Sequence, residues 1–162
     1  MAEKFIYWND LRGLPINLED KSYKLGIIEN FYYQDETHSV KALRVHTNLH
    51  GYRILLASAI KTLEPDNIIV ANENMLMDET NAGSMHQSPR GDSLIGFRVF
   101  TESGRLLGTI SDLLIGTYPP AALRISAIEL DGNRAKQLSA SEITHFGEGV
   151  LEVTNQAGKT LR

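Results

Sequence analysis

The 162-residue chain is 42% hydrophobic, enough to bury a core, which excludes disorder as its organising state. Its 16 Lys and Arg against 20 Asp and Glu leave a net charge of −4, which gives no long-range attraction to phosphate backbones and mildly repels anionic membranes. It has no cysteine, which removes disulfide frameworks, thiolate metal sites and thiol nucleophiles together.

In chain order, residues 1–8 hold no apolar leader before Asn9-Asp10, and no run approaches the roughly 20 apolar residues that span a bilayer. A soluble, untargeted, cytoplasmic chain is expected. The nearest thing to a basic cluster, Lys21 with Lys24, is diluted by Glu19 and Asp20 and reads as solvated turn charge. Segments 14–18, 25–33, 40–47, 52–57 and 67–71 are rich in β-branched and aromatic residues and separated by turn formers, the pattern of strands. Residues 57–63 read as a short 3₁₀ or α turn with Ser58 as its N-cap. Residues 73–93 lose the pattern among Asn, Gln, Ser, Gly and Pro89, as a linker does. Within them, Met75-Leu76-Met77 is expected to serve as an extra strand or anchor for what precedes it, ahead of a partner-binding role. Arg90-Gly91-Asp92 spells an adhesion tripeptide that an untargeted chain has no use for. Strand patterns resume at 97–101, 106–115, 122–130, 135–139 and 150–154, with Glu102-Ser103-Gly104 as a turn and Asp131-Gly132-Asn133 as a hairpin signal. Residues 140–145, with Ser141 as N-cap, form a second short turn.

The two runs of strands are copies of each other. Leu11-Arg12-Gly13-Leu14-Pro15-Ile16 matches Leu94-Ile95-Gly96-Phe97-Arg98-Val99, and Leu25-Gly26-Ile27-Ile28 matches Leu107-Gly108-Thr109-Ile110. Leu43-Arg44-Val45 aligns with Leu123-Arg124-Ile125, Ala57-Ser58-Ala59-Ile60 with Ala140-Ser141-Glu142-Ile143, and Val70-Ala71-Asn72 with Val153-Thr154-Asn155. The repeat units are 11–72 and 94–155, and the expected organisation is a first unit over 1–72, a linker over 73–93 and a second unit over 94–162. Five or more short strands per unit bury a core only by closing or nearly closing. The expected fold is therefore all-β, two tandem small barrels, each around its own apolar centre.

Gly13-x-Pro15-Ile16 followed by Leu25-Gly26-x-Ile28 resembles the opening of a PRC-barrel domain. So does Gly96-x-x-Val99 followed by Gly104-x-Leu106-Leu107-Gly108-x-Ile110-Ser111-Asp112, the closer match of the two. The first copy departs in having Ser22-Tyr23 in place of the turn glycine and Asn30 in place of Asp112. That family includes the cytoplasmic domain of the photosynthetic reaction centre H subunit and the C-terminal domain of the ribosome maturation factor RimM. The resemblance implies a compact PRC-type β-barrel in each copy that acts through protein–protein contacts, and it brings no catalytic residues.

Chemistry-bearing patterns are sparse. Gly26 and Gly108 are explained by a sharp bend or close strand approach. His46 and His50 have helical metal-site spacing but sit where a strand leaves for a turn, and His38, His86 and His145 lie apart in turns or linker, so no metal is expected. Ser103 has no elbow motif, and Glu29, Asp112 and Glu129 are distributed along strands without a visible pairing. The remaining signal is apolar excess on 27–33 and 111–115, where strict alternation forces large side chains outward unless a bulge near Asn30 and Asp112 redirects them. Tyr32 and Leu114 are the candidate contact residues, facing either the other unit or a partner. The expected function is a non-catalytic adaptor or assembly module with no cofactor, binding a protein partner or a second copy of itself. The alternatives are a small-ligand-binding protein with a pocket between the barrels and an RNA- or ribosome-associated maturation factor, the latter weakened by the acidic balance.

Overall fold

The structure is a computed structural model that describes residues 4–20, 23–79, 83 and 85–161. Residues 1–3, together with Lys21 and Ser22 of the first turn, lie outside the described residues, as does the side chain of His86. The protein is mostly β, with two mixed sheets of seven strands each.

A leader of strand β1 (Phe5–Tyr7) and the single helical turn α1 (Trp8–Leu11) precedes the first repeat unit. That unit contains β2 (Pro15–Leu18), β3 (Lys24–Tyr33), β4 (Val40–Thr47), β5 (Tyr52–Leu56), β6 (Thr62–Leu63) and β7 (Ile68–Val70). The short strand β8 (Leu76–Met77) follows, inside the stretch expected to be linker, and it pairs with β5. The second unit repeats the pattern as β9 (Arg98–Thr101), β10 (Leu106–Gly116), β11 (Arg124–Leu130), β12 (Asn133–Ser139), β13 (Ile143–Phe146) and β14 (Val150–Val153), closed by helix α2 (Asn155–Thr160). The sheet orders are β6-β7-β2-β3-β4-β5-β8 and β12-β11-β10-β9-β14-β13, with β1 added along the far end of β10. In each sheet one pair is parallel, β2 with β7 and β9 with β14, and the other pairs are antiparallel.

Among the described residues no closed barrel forms, but each sheet is strongly curled, and chain length dictates it. Strands β5 and β6 flank opposite sides of the first sheet, yet only the 3₁₀ turn Ala57–Ala59 and two further residues separate them. A chain covers at most about 3.6 Å per residue, so the two sides must come round to meet. The turn Ala140–Glu142 imposes the same curl between β12 and β13. These turns are capped differently from the sequence expectation: Ser139, not Ser141, accepts the backbone N–H at the second, and the first has no side-chain cap at Ser58 or elsewhere.

The ladders also revise the alignment of the copies. Leu43-Arg44-Val45 on β4 corresponds in register to Ile128-Glu129-Leu130, not to Leu123-Arg124-Ile125, because the β10–β11 connection is longer than the β3–β4 connection. Register shifts fall between Ile28 and Asn30 and, at the matching place, between Ile110 and Asp112. Each bulge moves the alternation by one residue. Ile28, Phe31 and Tyr33 therefore face the main core with Ile110, Leu113 and Ile115, while Tyr32 faces a separate small cluster with Ala42 and Ile54. Gly26 lies close against β4, where a Cβ would stand 2.6 Å from the His46 carbonyl oxygen, and the β11–β12 hairpin turns through Asp131 and Gly132, both at positive φ.

The expected separate centres do not exist. Buried side chains of both units, from Ile16, Leu43 and Val70 to Val99, Leu130 and Val153, form one continuous cluster. Val40 N–H donates to the Leu123 carbonyl at 2.9 Å and Ile125 N–H to the His38 carbonyl at 2.8 Å, so the backbones of the two units also pair directly.

Candidate interaction surface

The two units are joined by an exchange. β1 pairs antiparallel with β10 of the other unit, Tyr7 opposite Leu114 and Ile6 opposite Ile115. The segment before the second unit does the reciprocal thing: Arg90 bridges to Tyr32, and Tyr33 N–H donates to the Pro89 carbonyl at 3.1 Å. Tyr7 and Arg90 are equivalent positions, as are Leu114 and Tyr32. Each unit thus wears the leader of the other, and a division at residue 72 or 93 cuts across the sheets.

Two equivalent buried side chains fasten these leaders. The Asn30 side-chain oxygen accepts from Phe31 N–H at 2.9 Å and from Asp92 N–H at 3.1 Å. Asp112 Oδ1 accepts from Leu113 N–H at 2.8 Å and from Asn9 N–H at 3.1 Å. Each side chain satisfies one donor freed by its own bulge and one donor in a short helical turn of the opposite leader, a requirement for buried amides. Arg90-Gly91-Asp92 is part of this fastening. Gly91 is buried against the Phe31 ring, so the tripeptide is not a displayed loop.

The two residues expected at a contact surface are therefore covered by the chain itself. Tyr32 is fully buried beneath Met85 and Arg90, and its hydroxyl has no hydrogen-bond partner among the described residues. Leu114 is half-buried, with Tyr7 of β1 beside it in the ladder. The bulges are what point both outward at the same place in each unit, and the leaders are what meet them.

On the outer faces, charge clusters form that the linear sequence hid. Asp112 and Glu129 are opposite one another across β10 and β11, and Arg134 bonds to both, with Asp112 Oδ2 at 3.2 Å. The two carboxylate side chains are 2% and 6% exposed while Arg134 is 54% exposed, so a largely solvated cation covers two buried anions. Ser111 donates to Glu129 Oε1 at 2.9 Å, the Arg134 guanidinium lies 3.4 Å over the Tyr7 ring, and Gln137 donates to the Tyr7 hydroxyl at 2.6 Å. Desolvation opposes the Arg134 charge, and its hydrogen bonds to Asp112 and Glu129 outweigh that, holding its pKa above the usual guanidinium value. In the first unit Arg44 bonds Glu29 at 2.9 Å and Glu79 at 3.1 Å and lies over Tyr52. Glu29 and Glu129, read as unpaired in the sequence, are thus both in networks, because cross-strand register brings together residues 15 and 17 positions from their partners.

The sheet margins differ. In the first unit, β8 pairs with β5, Leu76 opposite Leu55 and Met77 opposite Ile54. In the second, β12 is the last strand, and among the described residues none pairs with its outer side. The chain after β14 turns into α2, where the Thr154 side chain accepts from Ala157 N–H, and that helix packs by β9 instead.

Clefts of about 790 and 520 Å³ open where the units meet. The larger is lined by Phe5, Ile6, Asp10, Leu63, Pro65 and Thr117, the smaller by Ser39, Lys41, Ser58, Ala122 and Arg124 among others. A third, of about 330 Å³, sits beside β8 with Tyr23, Leu49 and His50 on its walls. His46 packs at a tilt against Tyr52, and His38, at positive φ, packs on Phe146. Among the described residues no His, Asp and Glu side chains gather as a metal would need, and no helix is long and apolar enough to cross a membrane. No protein-family model matches the chain, and no curated protein matches it.

Proposed function

We propose that this chain is a tandem PRC-barrel protein serving as a non-catalytic adaptor or assembly module for protein partners. The leader exchange carries the reading. It locks two equivalent sheets over one core, so that their outer surfaces are offered at a fixed spacing and orientation, the condition under which doubled weak contacts give avidity for a repetitive or dimeric target. The family part of the proposal is supported by the curl forced on both sheets and by the close approach at Gly26.

The test is affinity capture from native lysate with mass spectrometry, followed by reconstitution of each retained protein with the purified chain. A complex that re-forms at fixed stoichiometry is the expected result, and retention of nothing beyond a blank matrix refutes the adaptor. The second reading, small-ligand binding, is favoured by the cleft of about 790 Å³ between the units. Native mass spectrometry that finds a retained small molecule, with no protein complex, would decide for it.

A further inference from the structure

We propose that the cleft of about 790 Å³ between the units takes a small molecule made of a flat aromatic ring and an ammonium group, a proposal that rests on the small-ligand reading and names its ligand class.

The chain fills one of its two seams with its own rings, and that seam is the template for the other. Leu63 on β6 and Phe146 on β13 are equivalent: Leu63 stands opposite Ile68 and Phe146 opposite Leu151, and these in turn stand opposite Ile16 and Val99. The Phe146 ring of the second unit lies 5.7 Å from the Tyr33 ring of the first and 5.9 Å from the His38 ring. At the other seam Leu63 stands in the place of Phe146, and Ile115, the third residue after Asp112, in the place of Tyr33, the third after Asn30. Aliphatic side chains thus replace the two facing rings, and the cleft opens there, lined by Leu63 and by Ile6, which is opposite Ile115. Leu63 and Ile6 both pack on the main core, as Phe146 does, so a ring seated against them extends apolar burial that is already under way.

Charge selects the rest of the ligand. Asp10 from the leader and Glu64 from the turn after β6 both line the cleft, and neither carboxylate has an ion pair or hydrogen bond among the described residues. Lys4 is the one basic side chain among the described lining residues, so on balance an ammonium is attracted and a carboxylate repelled. Phe5, 43% exposed, also lines the cleft and offers a ring for edge-on or offset contact. Apolar walls, a few charged groups and this volume at a junction of two units are the usual make-up of a small-molecule site.

The probe is phenylethylamine, titrated into the full chain and followed by amide NMR. Shifts concentrated on 4–10, 62–65 and 117 are expected. Hexylamine, which has the charge without the ring, should bind about threefold more weakly, and phenylacetate, which has the ring with the opposite charge, about fivefold more weakly. Leu63→Phe, which copies the filled seam, should weaken phenylethylamine by about tenfold or more. Asp10→Asn combined with Glu64→Gln, at two exposed positions, should erase the preference over phenylacetate, and it carries the test if Leu63→Phe does not fold. Shifts confined to other surfaces, equal binding of the three probes, or a charge preference that survives the double variant overturns the inference. A retained native molecule that lacks a ring or an ammonium also overturns it while leaving the small-ligand reading intact; phenylethylamine bound as described by a protein that retains no native small molecule does the reverse.

Discussion

Gly91→Ala should be among the most damaging small substitutions in the chain, and its rescue should be specific. A Cβ on Gly91 would overlap the buried ring of Phe31, which also meets Trp8 edge-to-face with centroids 4.9 Å apart. Overpacking of this kind costs about 2 kcal/mol, a fall in Tm of about 4–8 °C for a chain of this size. At the equivalent junction the sizes are exchanged, Trp8 standing in the place of Gly91 and Leu113 in the place of Phe31. Phe31→Leu alone should cost about 1–2 kcal/mol through lost volume and the lost ring pair. The double variant should then cost less than the sum of the two by at least ~1 kcal/mol, since leucine vacates the space the new methyl needs. Urea denaturation of the four proteins gives the cycle. Additivity to within about 0.5 kcal/mol, or a harmless Gly91→Ala, would show that the leader is not seated as described.

Further outcomes follow from the fastenings and the buried groups. Asp112→Ala strands the N–H groups of Asn9 and Leu113 and removes one partner of Arg134, so a loss of about 3 kcal/mol is expected in denaturant melts. Asp112→Asn, which copies Asn30, should lose markedly less, and equal losses would mean the backbone bonds contribute nothing. Tyr32→Phe removes a buried hydroxyl without a partner and should be neutral or stabilising by up to about 1 kcal/mol, whereas Tyr32→Ser should destabilise strongly with no change in self-association by sedimentation. Burial lowers the His38 pKa from 6.5, against the pull of Asp35, so the unfolded chain takes up a proton that the folded chain resists. The His38 contribution is therefore intact above pH 6.5 and is lost as pH falls through the lowered folded value; His38→Asn, which tolerates the positive φ, should flatten that limb of the stability profile. Burial, with Asp35 adding, raises the Tyr33 hydroxyl to about 12, so its share of stability is present below pH 10 and lost as pH rises toward 12, which absorbance-monitored alkaline melts of Tyr33→Phe would check.

Most of the strands were legible in the sequence because each is a short apolar run between turn formers, and 40–47 coincides with β4 to the residue. The two-residue strand β6 was not so plain, since a pair of residues has no period and only the β7 ladder makes it a strand, whereas the apolar Met75-Leu76-Met77 marked the extra strand that pairs with β5 as β8. The misplaced match of Leu43-Arg44-Val45 arose because residue identity favoured Leu123-Arg124-Ile125, while the bulges that fix true register leave no mark in composition. Apolar excess on 27–33 and 111–115 did point at Tyr32 and Leu114. What covers them was hidden, since nothing in Phe5-Ile6-Tyr7 says which of two similar sheets it will join. The pairing of Asp112 with Glu129 under Arg134 was invisible for the same reason, being a property of register and not of spacing.

The crossed leaders mean that the repeat and the folding unit do not coincide. If the backbone were severed between β8 and the segment that bridges to Tyr32, each fragment would still hold the other's missing piece, residues 5–11 in one direction and 89–94 in the other. Cleavage there should yield a nicked protein that elutes whole, and either fragment produced by itself should be a poor folder until its complement is added.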